Sequence, residues 1–219
     1  MNFEETFFKS INIISKGNLT QSEVDDFFNS ATSILQNASK KSNIKDNFTP
    51  FYYQPTATLG CFLVSEKTKS EYHIMYDLYK NEIIFYSSIM NWENIKNLND
   101  SFWSEFLEMS QKYDFKFGSF SGPFYDKDKT PEFSANYKSF VFNLMSVYVT
   151  AMLESKEERM NISFGQLEIV WAAQKKIPEI LEQLNIAFKF FYRFNYLLWK
   201  SADIRRQNQN NKKKKLNGK

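Results

Sequence analysis

The chain has 219 residues, of which 42% are hydrophobic and 18% aromatic, so it can form a substantial core and is not a disordered protein. This length fits one domain or two small ones. A single cysteine, Cys61, excludes a disulfide framework, and a single histidine, His73, excludes most histidine-built metal sites.

The formal net charge of +3 hides a segregation of charge along the chain. Seven of the 28 Lys and Arg residues follow Asp203, and no acid does. The other 21 stand against 25 Asp and Glu, so the rest of the chain has a net charge of −4. A mildly acidic body with a basic end predicts that any contact with an anionic surface is made by the C-terminal segment.

The first forty residues have the pattern of two helices. Apolar residues from Phe3 to Ile14 share one helical face, and Gly17 follows them. Thr20 and Glu23 form a capping box, after which apolar residues recur at helical spacing from Val24 to Ala38. The sequence therefore predicts an αα-hairpin over about residues 2–40.

The pattern changes to that of strands from Pro50 onwards. Thr56–Val64 is apolar and rich in β-forming residues, and the apolar residues of Tyr72–Leu78 alternate onto one face. Asn81, which tolerates the conformation of a tight turn, precedes Ile83–Tyr86. These segments predict an antiparallel meander of three or four strands.

The patterns in the second half of the chain predict mainly helices. Asn99 caps a helical pattern that continues to Tyr113. Residues 115–120 follow as a further strand, and residues 121–131 as a loop. Long helices are predicted over about 132–157 and 178–205, the latter opening at Pro178, with a short helical piece after Ser163 between them.

This segregated order of helices, strands and helices predicts an α+β fold. A small antiparallel β-meander would be packed by an N-terminal helical hairpin and long C-terminal helices. The alternative is a mostly α fold with one hairpin. Residues 1–206 are predicted to form a single globular domain, and residues 207–219, which lack apolar periodicity, a disordered basic tail.

The search for catalytic residues yields none. His73 and Asp77 share a strand face but lie about 13 Å apart, too far for a hydrogen bond. Cys61 lies in an apolar strand with no cation nearby to activate its thiol, although a pairing of Cys61 with His73 across the hairpin stays open. Sequence motifs of nucleophilic hydrolases, nucleotide-binding loops and zinc proteases are absent.

Two groups of carboxylates could be functional sites but are better explained as solvated surface residues. Asp126 and Asp128 have lysines between and after them and lack the glycine of a calcium loop. Glu105 and Glu108 lie opposite the apolar stripe of their helix. We therefore expect no metal, no small-molecule cofactor and no enzymatic activity, while an enzyme without a linear motif stays open.

In the predicted final helix, residues 186–199 are apolar or aromatic around almost the whole circumference, interrupted by Lys189, Arg193 and Asn195. Such a helix is either central to a core or covered by a partner, and a membrane-surface helix is a third possibility. Aromatic residues and Arg are the usual anchors of interfaces. The candidate partner-binding residues are Phe188, Phe191, Tyr192, Arg193, Tyr196 and Trp199.

The basic end supplies a candidate anion-binding segment, which comprises Arg205, Arg206, Lys212, Lys213, Lys214 and Lys215. These few charges predict weak, salt-sensitive contact with phosphates, and the tail itself has no aromatic residue to stack on bases. A merely solubilising C-terminus is the alternative.

Together these features predict a non-enzymatic protein–protein interaction module or a subunit of a larger assembly. Immunity proteins, secretion-system subunits and virion components are all of this class, and the partner would be another protein or a second copy. The alternative function is peripheral binding of anionic membrane or nucleic acid through the C-terminal helix and tail. Because Glu4 and Glu5 stand where a signal peptide needs positive charge, we expect a cytoplasmic location.

Overall fold

The computed structural model describes residues 2–17, 19–53, 58–118 and 166–217. Their fold is α+β, as predicted. The predicted helix over 132–157 and the loop over 121–131 lie outside the described residues. The boundaries predicted for one domain, 1–206, stay a prediction.

The N-terminal helical hairpin is confirmed. Helix α1 spans Phe3–Ile14, and the side chain of Asn2 caps it by accepting a hydrogen bond from the amide of Glu4. Helix α2 spans Gln21–Lys41, and the hydroxyl of Thr20 caps it by accepting from the amide of Glu23. Each cap satisfies an amide that has no partner inside the helix. Both helices bury one apolar face in a single core.

The sheet has six strands in the order β1-β2-β3-β4-β6-β5, and every neighbouring pair is antiparallel. The strands are β1 (Phe48–Tyr53), β2 (Thr58–Ser65), β3 (Glu71–Asp77), β4 (Glu82–Ser88), β5 (Lys116–Gly118) and β6 (Gln166–Ala172). The first four form the predicted meander. The short helical piece predicted after Ser163 is wrong from Gln166 onwards, because Leu167, Ile169 and Trp171 alternate into the core from a strand.

One face of the sheet carries most of the core. In register across four strands, this face presents Cys61, Ile74, Phe85 and Ile169, all of which are buried. The helices pack on this face, and buried residues of α1, α2 and the final helix join the strands in one cluster. We call the opposite face of the sheet, which carries Phe62, His73 and Tyr86, the outer face.

A short 3-10 helix, Trp92–Asn97, leads to helix α3, Asp100–Tyr113, which Asn99 caps through the amide of Phe102. Helix α4 then spans Ile177–Asn217, so Pro178 occupies the predicted first turn. Its buried residues continue to Ala202. The all-round apolar character of α4 thus has its physical cause in a central position between the sheet, α2 and α3.

Beyond Ala202, helix α4 continues with exposed side chains from Ile204 to Asn211 and ends at Asn217. Composition predicted a disordered tail from residue 207, whereas these residues are helical to 217 in the structure. A helix with exposed side chains gains little from tertiary packing and is marginal in water. The disordered tail therefore stays a prediction for the protein in solution.

Candidate functional site

The structure divides the six predicted partner-binding residues of α4 between the core and the surface. Phe188 and Phe191 are 0% exposed, and the ring of Phe191 stacks on that of Phe85 with centroids 5.5 Å apart. A partner cannot reach either ring in this fold. Burial therefore corrects the prediction for these two residues in favour of the core interpretation of the helix.

Arg193 is engaged within the chain. Its Nη1 donates to both carboxylate oxygens of Glu105, at 2.7 Å to Oε1, and its guanidinium lies 5.6 Å from the ring centroid of Phe102. The pair joins α4 to α3 at the surface, where an ion pair contributes about 0–1 kcal/mol to stability. Arg193 is therefore exposed but engaged with α3, and its role in binding a partner stays a prediction.

The other three residues form a row of rings along α4. Tyr192, Tyr196 and Trp199 follow at helical spacing, with ring centroids 6.1 and 5.5 Å apart. Tyr192 is buried, whereas Tyr196 and Trp199 are half-buried. Trp199 borders an open groove of about 580 Å³. We call this the Trp199 groove; its other lining residues are Ile44, Lys45, Asp46, Asn47, Glu66 and Lys67.

A saturated carboxylate forms part of the groove wall. Asp46 Oδ2 accepts from the hydroxyls of Tyr192, at 3.0 Å, and Ser65. Oδ1 accepts from the backbone amides of Asn47 and Lys67, at 2.8 and 3.2 Å. Burial, and then the hydrogen bond to Asp46, raises the pKa of Tyr192, so this hydroxyl stays protonated and donates. Asp46 therefore joins α4 to the two other segments that line the groove.

The groove exposes cations beside its aromatic rings. The Nζ atom of Lys67 donates to the carbonyl of Lys45 at 3.3 Å and lies 5.7 Å from the ring centroid of Tyr196. Within the described residues, no carboxylate lies within ion-pairing distance of Lys67. Glu66 instead accepts from the side-chain amide of Asn47 at 2.9 Å. The groove thus places two ammonium groups and two hydrogen-bonded carboxylates beside the half-buried ring of Trp199.

The predicted anion-binding segment continues from this groove on the same helix. Arg205 and Arg206 are exposed about two turns beyond Trp199, and residues 212–215 lie in the last turns of α4. The sequence predicted the ring-bearing and basic segments of this helix but not the groove, because Lys45 and Lys67 come from loops far away in the chain.

A second surface, which the sequence analysis missed, lies at the edge of the sheet. Phe51 and Tyr52 on β1 are 45% and 52% exposed. Phe51 stacks on Phe62 with centroids 5.3 Å apart, and Tyr52 lies 5.5 Å from Phe28 on the opposite face. We call these four residues the aromatic edge. The sequence feature that could have indicated the aromatic edge is the segment Phe48–Tyr53, which is rich in aromatic residues and has an internal proline typical of an edge strand.

The backbone of β1 limits how another chain could pair with it. The amide of Glu66 donates to the carbonyl of Asn47, and hydrogen-bonded pairs alternate along the ladder. The backbone groups of Phe48, Pro50 and Tyr52 therefore point away from β2. Because Pro50 has no N–H, the centre of this open edge lacks a donor, which disfavours regular strand addition.

The two residues that could have formed a cysteine–histidine pair lie apart in the sheet. Cys61 lies on the helix-covered face, whereas His73 lies on the outer face, so their pairing is excluded. Burial raises the pKa of the Cys61 thiol to about 12, which keeps it protonated. His73 was expected on a half-solvated face; it is 6% exposed because the rings of Phe62 and Tyr86 stack on it at 4.6 and 4.2 Å.

His73 should make stability depend on pH. Burial lowers its pKa despite the hydrogen bond of Nε2 to Glu71 at 3.0 Å, and that bond lowers the pKa of Glu71. The unfolded chain therefore binds a proton before the folded chain does. The free energy of unfolding should fall as the pH drops below about 6.5, by at most about 1.4 kcal/mol per pH unit, and this dependence should level off below the native pKa.

Urea denaturation between about pH 7.5 and pH 5.5 measures this effect. His73→Gln, which removes the only histidine in the chain, should flatten the dependence over this range. If both proteins lost the same stability over this range, titratable groups other than His73 would cause the pH dependence.

No family model, curated protein or solved structure matches this chain. In the described part of the chain, no three His, Cys, Asp or Glu side chains are placed to hold a metal ion. Across the same ranges, no helix combines the length and the hydrophobicity needed to cross a bilayer.

Proposed function

We propose that this protein is a non-enzymatic protein–protein interaction module, or a subunit of a larger assembly, that contacts its partner through the aromatic edge. The observation that carries the proposal is the exposure of Phe51 and Tyr52, 45% and 52%, on a terminal strand of the sheet. Adjacent exposed aromatic rings are typical of protein interfaces and dominate their binding energy.

The geometry of the edge favours a side-chain contact. Phe51 and Tyr52 point to opposite faces of β1, and each lies against a second ring, Phe62 or Phe28. The strand that carries them is held by β2, so little conformational entropy is lost on binding. Because Pro50 interrupts the donors of the open edge, the partner would be a protein with an apolar surface that covers the rings, not an added strand.

The absence of a catalytic role is part of the same proposal. It is supported by the saturation of Asp46 with four donors, the raised pKa of the Cys61 thiol and the separation of Cys61 and His73 on opposite faces. A cytoplasmic location is also proposed, because the one cysteine is a buried free thiol that forms no disulfide.

The double variant Phe51→Ser/Tyr52→Ser tests the edge. Loss of two interface rings should weaken binding of the partner by at least about 30-fold, because a hot-spot residue contributes about 2 kcal/mol or more. The partner is first isolated by affinity purification from the source cells and then titrated, as a purified protein, against each variant. Light scattering after size exclusion identifies a second copy as the partner, since the chain itself has a mass of 26.0 kDa.

The matched control is Tyr79→Ser, because Tyr79 is 85% exposed in the turn between β3 and β4, away from the aromatic edge. It should bind as the unchanged protein does. Equal binding by the double variant, or a monomer that recovers no stoichiometric partner, would contradict the proposed function.

A further inference from the structure

We infer that the Trp199 groove is a binding site for single-stranded nucleic acid. The ring of Trp199, which is half-buried and lies beside that of Tyr196, would stack on bases, and the lysines of the groove together with the basic continuation of α4 would contact phosphates. This site is separate from the aromatic edge and adds a second function to that of the interaction module.

The ring of Trp199 and the neighbouring ring of Tyr196 have the arrangement of a stacking platform. Tyr196 and Trp199 lie with centroids 5.5 Å apart and are inclined by 36°, and both are half-buried, so their positions are fixed while part of each ring faces solvent. The row begins at buried Tyr192, whose hydroxyl is held by Asp46. Bases of any sequence stack on such rings, because every base has an aromatic face.

The charges beside the rings are suited to phosphate. Lys45 and Lys67 are exposed in the groove, and the contacts that hold Lys67 are a backbone carbonyl and the ring of Tyr196. The two acids of the groove are occupied: Asp46 by four donors and Glu66 by the side chain of Asn47. An incoming phosphate therefore meets two ammonium groups beside carboxylates that are held by donors of the protein. The two lysines balance these two acids, so the excess of cations comes from the continuation of α4.

Helix α4 adds cations in one direction from the groove. Arg206 is seven residues after Trp199, so both lie on the same helical face, about 10 Å apart along the axis. No acid follows Asp203, and the helix continues through residues 212–215, all of them lysine. A strand that stacks on Trp199 can thus reach Arg206 and the lysines that follow it, in the helical and in the disordered form of the tail.

Other polyanions fit this surface less well. Between residues 203 and 217 only Ile204 and Leu216 are large and apolar, so the segment lacks the face with which an interfacial helix enters a membrane. An acidic polypeptide would match the charge but offers no row of planar groups to the rings. A duplex keeps its base faces stacked inside, whereas a single strand exposes them.

The experiment measures the fluorescence anisotropy of a labelled oligothymidylate of about 20 nucleotides, titrated with the full chain at about 50 and 200 mM salt. We expect binding that weakens with salt. Trp199→Ala should weaken it about 5- to 150-fold, since a stacked base contributes about 1–3 kcal/mol, and Trp199→Phe should retain most of it. Lys67→Gln should reduce the slope of log K against log salt by about 0.7.

The matched control for charge is Lys80→Gln, because Lys80 is exposed in the turn at the opposite end of β3. It should bind as the unchanged protein does. Circular dichroism melting verifies that each variant is folded, and Lys67→Gln tests the site even where Trp199→Ala lowers stability, because Lys67 is exposed.

Three results would each overturn the inference. They are no binding at the lower salt concentration, equal affinity of Trp199→Ala and the unchanged protein, and equal competition by polyglutamate, duplex DNA or phosphatidylserine vesicles at matched charge. The absence of binding at the lower salt concentration would not contradict the proposed interaction module, because the aromatic edge is tested with other variants and another partner.

Discussion

Replacing Phe191 by alanine should lower the free energy of unfolding by about 3–5 kcal/mol, the usual cost of deleting a buried aromatic ring. The ring is 0% exposed, and its centroid lies 5.5 Å from that of Phe85 and 5.1 Å from that of Phe115. For a chain of this size, the melting temperature should fall by about 2–4 °C for each kcal/mol. Urea denaturation and thermal melting provide the measurement.

The control on the same helix is Lys189→Ala, because Lys189 is exposed and its replacement should change stability by no more than about 0.5 kcal/mol. A Phe191→Ala protein that kept its stability but lost its partner would contradict the core position of this ring. That outcome would return Phe188 and Phe191 to the interface that the sequence predicted.

Replacing Asn195 by alanine should also be strongly destabilising, by about 2–5 kcal/mol, because it leaves buried polar groups without their partner. Asn195 is 0% exposed; its Oδ1 accepts from the amide of Met90 at 3.2 Å. Its Nδ2 donates to Ser87 Oγ at 2.8 Å and to the carbonyl of Ser88 at 3.1 Å. These bonds join α4 to the end of β4, and urea denaturation measures their loss.

Asn208→Ala serves as the comparison, because Asn208 is exposed on the same helix. Its stability should stay within about 0.5 kcal/mol of that of the unchanged protein. If Asn195→Ala were no more destabilising than Asn208→Ala, the side chain of Asn195 would not join α4 to β4 as the structure indicates.

The features that could be predicted are those whose causes are local in the chain. Thr20 with Glu23 and Asn99 with Phe102 determine where α2 and α3 begin, and both helices start where the capping patterns indicated. The strands β2 to β4 follow one another with short connections, so their alternation sufficed to predict a meander.

The features that were not predicted depend on contacts between segments that are far apart in the chain. The seven residues of β6 form a strand because they pair with β4. Considered without β4, a segment this short fits a helix as well as a strand. Helix α4 has apolar residues on every side, so the helix alone does not indicate which rings the sheet and α3 cover. The Trp199 groove joins three segments that are far apart in the chain, and no local pattern links them.

The pairing of β4 with β6 also determines when the protein can fold during translation. Strand β4 ends at Ser88, whereas β6 begins at Gln166 and α4 at Ile177. At about 5–20 residues per second, the ribosome needs about 4–15 s to reach β6 after β4 is complete. Throughout that interval the nascent meander has an unpaired edge at β4 and an uncovered core face around Phe85. Both features make the nascent chain prone to aggregation until β6 and α4 have been synthesised.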